Sequence, residues 1–208
     1  MARMQNDSYW ARTAAPAHMA CVPLDKCYRL LNHGPTVLVS AQHAGQANVM
    51  AAAWACALDF EPPKVTVVLD KAAFTRGLVE ASGRLVLQLP TVTQAALTVA
   101  VGTVSAYQQP DKLQTQAVPL FASPLRGAPM VQGCAAWLEC RVIPEPHNQQ
   151  AYDLFIAEVE GAWADARVFS NGRWHFERAP TELRTLHYVA GGHFYATGQA
   201  IDVPANTV

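Results

Sequence analysis

The chain has 208 residues, of which 51% are hydrophobic and 15% charged, and its formal net charge is −1. That length suits one domain with a substantial core, and a near-neutral balance without a basic run gives no hold on nucleic acid or an anionic membrane. No stretch approaches the roughly 20 apolar residues of a membrane span, and the opening MARMQNDSYWARTAAPAHMA lacks the apolar centre of a secretory signal.

Residues 1–20 are polar and Ala-rich without a period, which reads as a mobile arm ahead of a single domain over 21–208. A short helix or turn over 24–31 is ended by Gly34-Pro35. Residues 36–41 are β-branched and apolar, hence a buried strand, and a hairpin at 43–46 leads into a strand opening on Asn48. After a turn at Glu61-Pro62-Pro63, residues 65–69 form another strand. A helix is expected over 75–82, with Thr75 as its N-cap and Gly83 just past its end. Residues 84–89 alternate as a strand stopped by Pro90, and 93–104 read as a helix despite β-branched content. The segment 108–129 holds several prolines and no period, so it reads as a long surface excursion, a type that often carries function. Strands follow at 134–143 and 153–162, then short strands or turns at 167–169 and 174–176. Residues 187–190 and 194–197 flank a bend at Gly191-Gly192. Strands outnumber helices and their connections are short, which favours a closed antiparallel sheet over a doubly wound one.

The stretch 48–76 is the most informative. Its small residues let something flat approach the backbone, and a helix start offers free N–H groups to an anion. A flat ring joined to a phosphate suits both. Thr75 and Arg76 supply a hydroxyl and a guanidinium for a phosphate, although the same pair also reads as an ordinary cap beside a surface arginine. By residue type alone, Trp54 is a core tryptophan, Lys71 an exposed lysine and Lys112 a solvated loop lysine. No nucleophile elbow, P-loop or Rossmann turn is present. His175, His187 and His193 match no zinc spacing, so no metal site is expected. The five cysteines are odd in number and lack CxxC spacing, which reads as buried thiols of a cytoplasmic protein. High apolar and low charged content reads as surface covered by a second subunit.

In sequence order come Asn48-x-Met50-x-Ala52-x-Trp54, Pro62-Pro63, Thr75-Arg76, Ser82-Gly83, Gly102-x-x-Ser105, Asp111-Lys112, Leu-Phe-Ile-Ala-Glu-Val over 154–159, and His187-Tyr188-x-x-Gly191-Gly192-x-x-Tyr195. This series resembles the flavin reductase-like family of FMN-binding split barrels, over residues 22–200. The resemblance implies a mainly β fold: a six-stranded antiparallel Greek-key split barrel with peripheral helices. Two subunits would pack barrel to barrel as a homodimer, with FMN near each end of the interface.

It implies a site as well. Backbone groups of Met50, Ala51, Ala52 and Ala53 would meet the polar edge of the ring. Asn48 would order the phosphate side, and Trp54 would pack on the ring or ribityl chain. Thr75, Arg76 and Lys71 would take the phosphate, and Lys112 the ring's N1–O2 edge or the phosphate. The family often has Ser or Thr where this chain has Ala51 to Ala53, which leaves backbone donors. Tyr152 stands where many relatives have a flavin-contacting histidine. Tyr188 and Tyr195 would wall the ring face or else pack the barrel end. The implied activity is NAD(P)H-dependent flavin reduction, NADH or NADPH giving hydride to flavin, and electrons passing to free flavin, a monooxygenase or another acceptor. A non-enzymatic flavoredoxin-like carrier, a flavin store, or a dimer that has lost the cofactor are the alternatives. Positioning and electrostatics are all this chemistry needs of the protein, so no side chain is singled out as catalytic.

Overall fold

Val65, Val67 and Leu69 are buried, while Lys64, Thr66 and Val68 between them are half-buried. This period of two marks a strand with one face on a core. The computed structural model describes residues 8–203. Its elements are β1 (Met19–Cys21), α1 (Leu24–Cys27), β2 (Val37–His43), β3 (Gln46–Ala52), β4 (Ala55–Phe60), β5 (Pro63–Val68), α2 (Phe74–Ser82), β6 (Arg84–Leu89), α3 (Ala95–Thr103) and α4 (Lys112–Thr115). They continue with β7 (Leu120–Ala122), β8 (Pro129–Val131), β9 (Ala136–Ile143), α5 (Pro146–Ala151), β10 (Leu154–Asp165), β11 (Phe169–Ser170), β12 (Arg173–Trp174), β13 (Leu186–Ala190) and β14 (His193–Ala196).

The main sheet is antiparallel, in the order β3-β2-β6-β9-β10-β5-β4, with β1 added on β10. β3 and β4 stand at opposite ends of this order, yet only Ala53 and Trp54 separate them in the chain. The sheet must therefore curl until its edges meet, which makes it a barrel. At that corner the Val68 amide donates to the Trp54 carbonyl at 3.0 Å. β2 and β3 are joined by a tight turn in which Ala44 and Gly45 take φ of 47° and 82°, the left-handed pair that matches the strand twist. The sheet has eight strands rather than the expected six, because β4 pairs with β5 across the Pro62-Pro63 turn and β1 pairs with β10.

Two apolar clusters flank the sheet. Val37, Val39, Leu87, Leu138 and Phe155 belong to the barrel interior. Leu38, Val49, Val86, Val101 and Trp137 belong to a second cluster, with Phe121 of β7 and Met130 of β8. β2 is therefore covered on both faces, which explains why it is buried without a break from Val37 to Ala41.

Several expectations are corrected. Residues 8–20 do not form a mobile arm: Trp10 is 6% exposed within the second cluster, and Met19 pairs with Asp165. The first seven residues lie outside those described. The segment 108–129 is not a surface excursion, since Val118, Leu120 and Phe121 are buried in the second cluster. The N-cap of α2 is Ala73, which places Thr75 inside the first turn, whereas Gly83 ends the helix at φ 67° as expected. Cys27, Cys134 and Cys140 are buried, but Cys21 and Cys56 are exposed. No described helix is long and apolar enough to cross a membrane.

β10 shifts register between Val159 and Gly161. A Cβ on Gly161 would lie 2.6 Å from Trp163 Cη2 and 3.2 Å from Leu125 Cδ2, so side chains there would have to shift. Gly161→Ala is expected to destabilise the protein by about 1–3 kcal/mol, the usual cost of overpacking. Urea unfolding should show a lower midpoint with an unchanged slope.

Candidate functional site

α3 lies against β3 at a point where both carry small residues. A Cβ on Gly102 would sit 3.1 Å from Ala51 Cβ, so glycine is what lets the helix come this close. Beside the contact lies a groove of about 250 Å³. Ala51, Ala52 and Ala53 form one wall, Val99 and Gly102 of α3 a second, and Tyr188 and Phe194 of the β13–β14 hairpin a third. The hairpin is fastened to the start of β2: Thr36 N donates to Leu186 O at 2.7 Å, and Tyr188 N donates to Thr36 Oγ1 at 2.8 Å. The Tyr188 and Phe194 rings meet edge to face at 5.4 Å.

Behind this groove, Lys112 is 2% exposed, and its Nζ donates to the Val101 carbonyl at 2.7 Å. Val101 precedes Gly102 in the last turn of α3, where helix carbonyls favour a cation. Lys112 is therefore no solvated loop lysine. Burial lowers its pKa to about 8.

Asn48 and Thr75 are 2% and 0% exposed, and Asn48 Nδ2 donates to Thr75 Oγ1 at 2.9 Å. The bond ties β3 to the first turn of α2, which no side chain caps. Asn48 Oδ1 is buried without a partner. Thr75 is thus enclosed rather than presented at a helix end.

Arg76 is expected to face a phosphate, but the protein itself satisfies it. Nε donates to Glu80 at 2.8 Å, Nη1 to Leu69 O at 3.0 Å and to Asp153 at 2.5 Å, and Nη2 to Gln149 O at 2.7 Å. Its guanidinium also lies over the Phe155 ring at 5.3 Å. Lys71 joins this cluster, donating to Gln150 O at 2.6 Å and lying 3.7 Å from Asp153.

Met50 is half-buried and packs against the barrel interior. Trp54 is 74% exposed at the barrel corner, so it is not a core residue. Tyr152 is exposed beside His147, and Tyr195 is exposed beside His193. The structure therefore gathers Ala51, Ala52, Ala53 and Tyr188, with Lys112 behind them. It does not bring Lys71, Arg76, Tyr152 or Tyr195 to the groove. Val99, Phe194 and Thr36 were missed as lining residues; the one sequence signal for this wall is Gly102, a glycine inside a helical pattern.

A family model, the flavin reductase like domain, matches residues 29–193. The chain belongs to the flavin reductase-like family. It is 57% identical to an FMN-binding domain of a flavin reductases-like enzyme from Shewanella baltica OS155, whose crystal structure superposes with a TM-score of 0.88 over 89% of this chain and 97% of that one. It is 41% identical over 183 residues to the uncharacterised Escherichia coli (strain K12) protein YddH, covering 86% of this chain and 95% of that protein. The flavoredoxin of Desulfovibrio vulgaris (Miyazaki F), at 20% identity, shares the fold with a TM-score of 0.70 over 84% of this chain and 92% of its own.

In this flavin reductase-like chain the Lys112 charge is costly. Its folded pKa, about 8, lies below the ordinary 10.5. Below the lower value both states carry the proton and the folded state bears the full penalty. Between the two values the unfolded chain holds more protons, so stability rises with pH. Each pKa unit is worth about 1.4 kcal/mol, and after solvent relaxation Lys112→Met should stabilise the ligand-free protein by about 1–3 kcal/mol near neutral pH. Urea melts from about pH 7 to about pH 10 should show the difference between the two proteins shrinking.

Proposed function

We propose that this protein binds FMN and acts as an NAD(P)H-dependent flavin reductase, taking reducing equivalents from NADH or NADPH. The observation that carries this reading is the groove: a floor of small side chains, two aromatic rings as a wall, and a buried cation behind. An FMN-binding relative at 57% identity supports it. Bound FMN would supply hydride acceptance from the nicotinamide and electron delivery to free flavin, a monooxygenase partner or another acceptor.

The chain's own residues bind and orient. Ala51, Ala52 and Ala53, with neighbouring Met50, give a ring access to β3 backbone, and Tyr188 and Phe194 exclude water from one side. Lys112, held on the Val101 carbonyl, favours negative charge gathered on the groove side of α3. Asn48 and Thr75 lock β3 to α2. The uncapped first turn of α2 then lies about 10–17 Å along the strand from Ala51 to Ala53, a separation suited to a ribityl phosphate tail. That turn, with the exposed Lys71 beside it, is the phosphate site in this reading. Arg76 fixes α2 against β5 and β10 rather than touching ligand. The groove lining holds no carboxylate, histidine, lysine or cysteine, so no proton-transfer residue is assigned.

The outward row of β4 is apolar: Trp54, Leu58 and Phe60 are 74%, 51% and 65% exposed along an edge strand. A second copy covering this row would make a homodimer with the groove near its rim, because Trp54 follows Ala53. Exposed Tyr152 and Tyr195 then become candidates for contacts across the rim. Five free cysteines accord with a cytoplasmic location.

Apo-protein should take up FMN more tightly than riboflavin, and NADH or NADPH should then bleach the bound flavin in a stopped-flow experiment. Bleaching by dithionite but by neither nucleotide would favour the flavoredoxin-like carrier, and no uptake of flavin would remove both readings. In sedimentation at micromolar concentration the wild type should run as a dimer and Phe60→Asp should shift toward monomer, because the substitution sets a charge into an apolar contact.

A further inference from the structure

The β13–β14 hairpin is tied to the loop before β2 by four side chains joined in one hydrogen-bonded chain. His187 Nδ1 lies 3.1 Å from the Gly34 carbonyl, and a carbonyl only accepts, so Nδ1 bears the proton. The bare Nε2 of neutral His187 then accepts from Thr197 Oγ1 at 3.1 Å. With its proton committed, Thr197 Oγ1 accepts from Thr185 Oγ1 at 2.6 Å. Thr185 Oγ1 in turn accepts from His33 Nε2 at 2.8 Å. His33 is left with a bare Nδ1, and that atom is buried without a partner. Aromatic rings enclose it: His187 at 5.6 Å, Trp174 at 5.4 Å and Phe176 at 6.0 Å between centroids.

We propose that this chain is a latch that seats the hairpin as the groove's third wall only while His33 is neutral, so that acid loosens the hairpin and releases the flavin. The proposal rests on the groove being the flavin pocket. A proton on His33 Nδ1 would be a buried N–H with no acceptor, close to a second imidazole. A proton on His187 Nε2 is tolerated by contrast: Thr197 Oγ1 accepts it and turns its own proton to the Thr185 carbonyl at 3.4 Å. The surrounding elements offer His33 no compensation. Glu177 pairs with His175 at 3.6 Å, Arg184 donates to the Thr197 carbonyl at 3.4 Å, and Arg29 is held by Tyr28 and Gly172. Glu182 and His193 are exposed. No carboxylate bonds the His33 ring among the described residues.

Burial, and then the neighbouring His187, lower the His33 pKa from 6.5 to about 4. The open state, with an ordinary histidine, binds a proton that the closed state refuses. The latch is therefore complete above 6.5 and weakens by up to about tenfold per pH unit as the pH falls toward 4.

Release of FMN from holo-protein, measured between about pH 7 and pH 5, should accelerate roughly tenfold or more in the wild type. It should stay nearly flat in His33→Gln, which keeps an N–H donor for Thr185 but does not titrate. Equal acceleration in both proteins would overturn the latch. Imidazole 15N spectra of the wild type near neutral pH should show His33 protonated on Nε2 and His187 on Nδ1; the opposite tautomers would also overturn it. If the protein takes up no flavin, the functional reading fails on its own. Amide exchange of the hairpin in the wild type then tests the latch separately: faster exchange from about pH 7 to pH 5, beyond the intrinsic change, supports it, and unchanged protection refutes it. The same two wild-type measurements decide if His33→Gln does not fold.

Discussion

The contact between Gly102 and Ala51 sets the spacing from which the rest of the site follows. Because neither residue has more than a methyl group, α3 settles directly on β3, and Val101 joins Val49 and Trp137 in the second core cluster. The Val101 carbonyl is thereby placed over Lys112, and Thr98, Val99 and Gly102 of the same helix open onto the groove. A larger side chain at either position would lift the helix, thin the cluster and strand a buried ammonium group. The enclosure also accounts for the composition of α3. With β3 on one side and the hairpin on another, it has no amphipathic stripe to show. Thr98 and Thr103 return their hydroxyls to the Gln94 and Val99 carbonyls rather than leaving them unpaired.

Charge plays a different part on the far side of the barrel. Glu160 is shared by Arg84 at 2.7 Å, Arg126 at 3.1 Å and Arg141 at 3.2 Å, and Arg141 also reaches Glu158 at 2.8 Å. Half-exposed pairs of this kind add little stability individually. Together they span β6, β9 and β10, and a one-residue slip would send these side chains to the other face. Glu139 lies buried nearby and accepts the Ser123 hydroxyl proton. Burial raises its pKa, against the pull of Ser123, Arg84 and Arg126.

What could be read from sequence was mainly local. The period of two in 84–89, the apolar run that became β2 and the glycine closing α2 each follow from near neighbours. β4 was hidden because its pattern is reversed: the small Ala55 and Ala57 point inward, while Trp54, Leu58 and Phe60 point out. Thr75 had the chemistry of a cap, but Asn48, far earlier in the chain, holds it inside the helix. Arg76 looked free because Gln149 and Asp153, the groups that satisfy it, come much later in the sequence. Lys112 sits between prolines and polar residues, and only the fold of α3 takes it out of water. The family resemblance pointed to a stretch of which Ala51, Ala52 and Ala53 line the groove; which side chains reach solvent there was decided by tertiary contacts.

The order of strands in the barrel also bears on how the protein is made. Val67 pairs with Phe155 and Cys21 with Trp163, so β5 and β1 must wait for a strand near the far end of the chain. At about 5–20 residues per second of synthesis, that wait is on the order of ten seconds. Meanwhile the β4–β5 hairpin stands with one unpaired edge and an apolar row turned to water. A nascent chain in that condition is a natural client for a ribosome-associated chaperone, and expression that outruns such help would send it toward inclusion bodies before any barrel could close.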